Sequence, residues 1–319
     1  MRLGIQTPNV GSHHRPLTLD EITTHARVVE DAGFNGIWKG HHVPVPGDPM
    51  RSMPDPLVHL MLAGMATENL EIGTAVYGVP LGSAAELAQR VYTIQAFTQG
   101  RFTFGVGAGS QVLEYEHAGL SFEERFARLD GHMRYIRAIY ETLPDEKTER
   151  MFERDGAGKP AARAEARTDP TVANQVGMPR TVLGVWLSRP QLKRAATQYD
   201  GWMGSAGPPA RHSGWRPAVA DTIKRYRDYG GKRAILTTVF VNLDMPEAKL
   251  NDDDGFHLVC GPRSAAERLH LLEELGYDDV ILIMLDREGI YGDGAFTPER
   301  LDEIRSLLPV DDRDYRQCS

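Results

Sequence analysis

Short apolar runs alternate with amphipathic stretches along most of the chain, and this alternation lays out the elements. Leu3 to Thr7 reads as a strand. Thr18-Leu19-Asp20-Glu21 reads as a capping box, the threonine and glutamate side chains satisfying free N–H groups at a helix start. That helix ends at Gly33, and Gly36 to Lys39 forms a second strand. Asp55-Pro56 supplies a capping aspartate and a first-turn proline for a helix to about Thr67. Leu70 to Tyr77 is a third strand, Ser83-Ala84-Ala85-Glu86 opens a helix to about Phe97, and Phe102 to Gly107 is a fourth strand. Ser121-Phe122-Glu123-Glu124 then caps a long helix reaching about Thr142.

The pattern breaks over 143–180, which is rich in charge, Ala, Pro and Gly and has no stable apolar period. A loop of that length inside a compact domain reads as a mobile insertion, of the kind that covers an active site as a lid. Alternation resumes with the strand Thr181 to Leu187 and a helix from Pro190 to Gln198. Gly201 to Gly204 is the next strand, followed by a helix from Trp215 to Tyr229 and the strand Ile235 to Asn242. Gly261-Pro262 leads into the capping box Ser264-Ala265-Ala266-Glu267 and a helix to Leu275. Val280 to Met284 is the last strand, and Thr297-Pro298 opens a final helix to about Leu308.

Eight strand–helix units imply a parallel sheet covered by helices, because each crossover returns the chain to the same end. The count favours a closed (β/α)8 barrel, a TIM barrel, built as a single domain over 1–319, with 143–180 inserted between the fourth helix and the fifth strand. An open doubly wound sheet is the competing arrangement. In a barrel, chemistry belongs at the C-terminal ends of the strands. The second strand runs out there into Gly40-His41-His42.

Composition narrows the class. A 319-residue chain that is 41% apolar and 25% charged is an ordinary globular protein with ample core. Its net charge of -8 argues against a nucleic-acid partner, which needs a basic face. Two cysteines, Cys260 and Cys318, cannot frame a disulfide scaffold, so Cys260 reads as an inert buried thiol in a reducing compartment. The N-terminus lacks the apolar core of a signal peptide, and no run reaches the roughly 18 apolar residues of a membrane span. These features point to the cytoplasm.

The candidate chemistry starts from the histidines. Adjacent strand residues point to opposite faces, so His41 and His42 would not both face inward from regular strand, which disfavours a shared metal. His13 and His14 have the same defect, and no H-E-x-x-H, cysteine pair or acidic cluster accompanies either pair. Gly105-Val106-Gly107-Ala108-Gly109-Ser110 follows a strand but misses the spacing of a dinucleotide fingerprint and of a P-loop. Its small residues suit either packing or close approach of a ligand to Gly107, Ala108 and Ser110. Ser188-Arg189-Pro190-Gln191 places a hydroxyl and a guanidinium at a helix start, an anion-attracting position, and Gly204-Ser205-Ala206-Gly207 adds a small-residue loop after the next strand. The bland alternative is an N-cap serine and a solvated arginine. No nucleophile elbow is present, and Glu114 and Glu116 read equally well as part of a solvated helical turn.

As an ordered set, the segments resemble the bacterial luciferase-like oxidoreductases. The resemblance rests on L-G-I-Q-T-P, E-D-A-G-F-N-G-I-W-K-G-H-H, L-E-I-G-T-A-V-Y-G-V-P, Q-A-F-T-Q-G-R-F-T-F-G-V-G-A-G-S and F-E-E-R-F-A-R-L-D. A-A-T-Q-Y-D-G-W-M and C-G-P-R-S-A-A-E-R-L-H-L-L-E-E-L-G extend it through the C-terminal half, so it covers 1–142 and 181–310. It implies reduced FMN, or the deazaflavin coenzyme F420, lying over the barrel mouth. Its phosphate would be held by loops matching Ser188, Arg189, Gly204, Ser205 and Ala206. The resemblance also implies a non-proline cis peptide behind the ring, matching Ala75–Val76, and a homodimer formed through the early helices. FMN would arrive reduced by a separate flavin reductase.

Two departures qualify the match. Deazaflavin dehydrogenases commonly end strand two with Asp-His, where this chain has His41-His42, and place a glutamate where it has Ser110. The leading expectation is a monooxygenase or hydride-transfer enzyme acting on a small organic substrate, with His42 facing the flavin as the proton-handling group and His41 as the unusual neighbour. A non-catalytic flavin-binding protein and a metal-dependent barrel hydrolase are the alternatives.

Overall fold

Parallel pairing runs all the way round the molecule. The computed structural model describes residues 1–8, 15–46, 54–141, 177–207, 214–289 and 292–308. The strands are β1 (Arg2–Gln6), β2 (Gly36–Lys39), β3 (Glu71–Thr74) with its short continuation β4 (Tyr77–Gly78), and β5 (Phe102–Gly107). They continue with β6 (Arg180–Gly184), β7 (Gly201–Ser205), β8 (Arg233–Asn242), the short β9 (Leu258–Val259) and β10 (Asp279–Met284). β10 pairs with both β1 and β8, so eight parallel strands close into a barrel with helices outside it. That is the (β/α)8 architecture, and the open sheet is excluded. Of the insertion expected at 143–180, all but the last four residues lie outside the described residues, and Arg180 already belongs to β6.

Several helices start where the capping residues stand. Thr18 and Glu21 form a reciprocal capping box for α1 (Leu19–Asp31), Asp55 accepts from the N–H groups of Leu57 and Val58 at α2 (Pro56–Met65), and Ser83 caps α3 (Ala84–Phe97). Two expected caps are not used. The helix after β5 splits into α4 (Val112–His117) and α5 (Arg125–Glu141), and the Ser121 hydroxyl turns to Glu123. Farther on, α6 (Arg189–Gln198) follows β6, and a π-type turn (Arg216–Ala220) feeds α7 (Asp221–Asp228). The Ser264–Glu267 box is replaced by a carboxylate from outside the helix. α8 (Pro262–Glu274) starts earlier, and Glu247 accepts from the N–H groups of Arg263 and Ser264 at 3.1 and 2.7 Å. Thr297 caps the last helix, α9 (Pro298–Arg305).

Two layers fill the barrel. A large aromatic knob, Trp38, packs inside with Val182, Met203, Ile235 and Ile281. It occupies hollows at Gly4, Gly36 and Gly73, where a Cβ atom would fall within 2.2–2.8 Å of the indole. Below it, at the N-terminal strand ends, sits a buried ionic plug. Glu71 accepts from Arg233 at 2.8 and 3.0 Å, from Arg2 at 2.5 Å and from the Thr103 hydroxyl at 2.5 Å. Asp279 accepts from Arg233 at 2.7 and 2.8 Å. Burial alone would raise the Glu71 carboxyl, but Arg233 and Arg2 hold it well below the usual carboxylate range.

Candidate active site

The cavity at the opposite, C-terminal end of the barrel has a volume of about 540 Å³. Of the residues expected to act on or hold a flavin, all line it except Arg189 and Ala206. His41, His42, Ala75, Val76, Gly107, Ala108, Ser110, Ser188, Gly204 and Ser205 are brought together from five strand ends. Arg189 is exposed at the start of α6, and Ala206 is buried with its N–H on the Thr237 carbonyl. Ser188 stands at the N-cap of α6 without a side-chain cap bond, so its hydroxyl is not committed to the helix.

Both histidines reach the cavity, contrary to the one-inward, one-outward expectation. β2 ends at Lys39, and residues beyond a strand end are no longer bound to alternate faces. Lys39 itself points away into the helix layer, where Nζ donates to the Pro8 carbonyl at 2.9 Å and burial pushes its pKa down to about 7.

The two imidazoles are held differently. His41 stacks on Tyr77 with ring centroids 4.0 Å apart, and its Nδ1 accepts the Gly78 N–H at 3.1 Å. Burial pushes its pKa down to about 4. It is therefore neutral near pH 7, and because an N–H can only donate to Nδ1, the ring proton must be on Nε2. His42 Nδ1 instead meets the carboxylate of Glu114 at 2.6 Å. With a carboxylate accepting at Nδ1, the neutral ring carries its proton there and leaves the Nε2 lone pair uncommitted. One ring thus offers a donor at Nε2, the other an acceptor.

Glu114 is not a solvated turn residue: it is only 2% exposed. Its neighbour Tyr115 is wholly buried and donates its hydroxyl to the Ala108 carbonyl, which ties α4 to the end of β5 and turns Glu114 inward. The sequence carried no signal for this, since the apolar Val112 and Leu113 of the same helix are the exposed residues and Glu114 is buried.

Strand three breaks where the resemblance implied. Gly73 lies opposite Thr103 but Tyr77 opposite Val106, one extra residue on this strand, and the Ala75–Val76 peptide within the bulge is cis. The Ala75 N–H donates to the Lys39 carbonyl at 2.9 Å, and the Val76 carbonyl accepts the His41 N–H at 3.3 Å. Gly107 and Gly184 leave space for the Val76 side chain: a Cβ on either would lie 2.8 Å from a Val76 methyl. Gly107 therefore serves packing and cavity shape together.

The cation of the site lies in the helix that the sequence pattern assigned only to scaffolding. Arg125 is the only lysine or arginine among the described residues lining the cavity. Its guanidinium lies 3.8 Å from the Phe122 ring centroid and 4.6 Å from that of Phe126. α5 is anchored by Arg128 on the Pro80 carbonyl and His132 on the Val79 carbonyl. Among the described residues no group of three or more His, Cys, Asp or Glu could hold a metal ion, and His13 and His14 lie outside them. No described helix is long and apolar enough to cross a membrane.

Comparison with known proteins agrees with this barrel. The family model of the luciferase-like monooxygenases matches residues 1–254, and the chain belongs to that family. Its relatives use different cofactors. The F420-dependent hydroxymycolic acid dehydrogenase of Mycobacterium tuberculosis is 26% identical over 197 residues, 60% of this chain and 51% of that protein. The chain thus spans about half the length of that relative. Among solved structures, the oxygenating constituent of 3,6-diketocamphane monooxygenase of Pseudomonas putida, in complex with FMN, aligns with a TM-score of 0.66 at 14% identity, covering 96% of this chain and 97% of that one. An F420-dependent secondary alcohol dehydrogenase aligns with a TM-score of 0.64 at 13% identity, over 97% and 98% of the two chains. At these identities the structural likenesses establish the fold.

Proposed function

We propose that the protein is a cytoplasmic monooxygenase that takes reduced FMN, supplied by a separate flavin reductase, and acts on a small organic substrate. The observation that carries the reading is the cavity itself: its glycine- and alanine-rich wall fits a flat ring, and one cation fits one phosphate. Its volume lies within the roughly 300–1,000 Å³ usual for small-molecule sites. A single arginine among the described lining residues suits FMN better than F420, whose longer tail carries several negative charges. The separate reductase is the partner that the resemblance implies for a site taking FMN already reduced.

Bound reduced FMN would supply two electrons, with which dioxygen gives one oxygen atom to the substrate and one to water. The protein's own part is placement and proton handling. The Ala75–Val76 backbone backs the ring, and Arg125 with Ser188 holds the phosphate. His41 Nε2–H donates a hydrogen bond into the site, and His42 Nε2 takes or returns a proton. Phe122, Phe126, Trp186 and Leu187 form an apolar rim that keeps water out.

Fluorescence titration tests the reading. The wild-type protein is expected to bind FMN more tightly than F420, and binding of neither cofactor would sink the proposal. Arg125→Ala is expected to weaken FMN about ten- to a hundredfold, the value of a charge-assisted contact of about 1.5–3 kcal/mol. It should leave riboflavin, which lacks the phosphate, unaffected.

The homodimer remains part of this proposal. Val58, Met65 and Phe97 are more than half exposed on α2 and α3, and a groove of about 200 Å³ runs between these helices. Light scattering is expected to give a dimer for the wild type and a monomer for Phe97→Asp; a monomeric wild type at micromolar concentration excludes it.

A further inference from the structure

β8 departs from regular strand geometry where it meets the cavity. Leu236 lies opposite Val280 and Val239 opposite Leu282, so three residue steps on β8 face two on β10. Below the irregularity Ile235 points into the barrel, whereas Val239 and Val241 above it pack outward under the helices. The side-chain phase therefore slips by one residue at Thr237 and Thr238. Both threonines line the cavity, which two neighbours in regular strand cannot do. Thr238 has φ +63, a left-handed conformation that β-branched residues rarely adopt and that clusters at ligand sites.

The hydroxyls at this bulge are linked to the neighbouring strand. The Gly207 N–H donates to Ser205 Oγ at 3.1 Å, and Ser205 Oγ donates to Thr238 Oγ1 at 3.1 Å. With Ser205 Oγ donating to it, the Thr238 hydroxyl keeps its own proton for a further acceptor. Thr237 is 7% exposed, and its Oγ1 has no hydrogen-bond partner among the described residues. At the wall of a cavity, a buried hydroxyl of this kind is placed to be completed by a ligand or a water.

We propose that the β8 bulge is a subsite for a carbonyl oxygen, which accepts hydrogen bonds from the hydroxyls of Thr237 and Thr238. Two neutral donors match the two lone pairs of such an oxygen, and Arg125, the lining cation, sits on a different element. The inference deepens the flavin reading by naming a ligand group for its site. That oxygen belongs either to a ring carbonyl of the cofactor or to a ketone, aldehyde or ester substrate.

Thr237→Val removes the hydroxyl at nearly constant shape, and Thr237→Ser keeps it. Each variant, with folding checked by thermal denaturation, is titrated with FMN and, without cofactor, with cyclohexanone and methylenecyclohexane by ligand-observed NMR. An FMN affinity lowered about three- to tenfold in the valine variant and kept in the serine variant assigns the oxygen to the cofactor. Unchanged FMN binding, with the preference for cyclohexanone over the hydrocarbon reduced about three- to tenfold, assigns it to the substrate. If neither changes, or if serine behaves as valine does, the proposal is overturned. Should the wild type bind neither FMN nor F420, the flavin reading fails on its own account, and the cyclohexanone comparison still decides the subsite.

Discussion

Turnover is expected to fall about 10²- to 10⁴-fold when Glu114 is replaced by leucine, the range typical for loss of a positioned acid–base group. Glu114 need not touch substrate for this to hold. Its carboxylate meets His42 Nδ1 at 2.6 Å from a buried position, so it sets both the angle of the imidazole and the nitrogen that carries the proton. Without it the His42 ring is free to turn and to move its proton to Nε2. Nitrogen-15 NMR of the cofactor-free protein separates this positioning role from a fold defect. Wild-type His42 is expected as the Nδ1–H tautomer and His41 as Nε2–H. In Glu114→Leu only His42 should change, and Glu114→Asp should restore it in part. A wild-type His42 already in the Nε2–H form would refute the assignment, whatever the kinetics.

Glu71→Gln is expected to cost about 3–5 kcal/mol of stability, measured by urea denaturation at pH 7. The reason is asymmetry. The glutamate is buried beneath Arg2 and Arg233, and removing its charge leaves cations that were desolvated on the strength of that partner. The sign with pH follows. The folded-state carboxyl is held far below its ordinary value of 4.5, so the unfolded chain binds the proton first as acid is added. This contribution is complete above about pH 4.5 and is lost as the pH falls below it. The variant should therefore lack part of the wild type's acid-induced loss of stability; identical pH profiles would show that Glu71 is not the titrating group.

The site was only partly legible in the sequence, and the missed residues share a physical cause. His41, His42, Gly107 and Ser188 follow strand ends, where position along the chain is enough to direct them to the mouth. Glu114, Arg125 and Thr237 are placed by contacts remote in sequence or by a local irregularity. Glu114 depends on Tyr115 reaching back to Ala108, Arg125 on α5 gripping the Val79–Leu81 turn, and Thr237 on one extra residue in β8. Arg189 errs in the opposite direction: a helix start attracts anions in general, but this one projects into solvent beside the cavity.

By itself the sequence determined the number and order of the strand–helix units, the capping of α1, α2, α3 and α9, and the strand ends that carry the histidines. These depend on apolar period and on side chains that bond within a few residues of themselves. Tertiary structure alone decided that β8 takes one residue too many and that Glu71 and Asp279 meet their arginines across the barrel floor. It also turned G-I-W-K-G-H-H into two imidazoles held through Nδ1 by different groups, a backbone N–H for His41 and a carboxylate for His42. Their partners, Gly78 and Glu114, lie 37 and 72 residues away, a pairing that only the closed barrel creates.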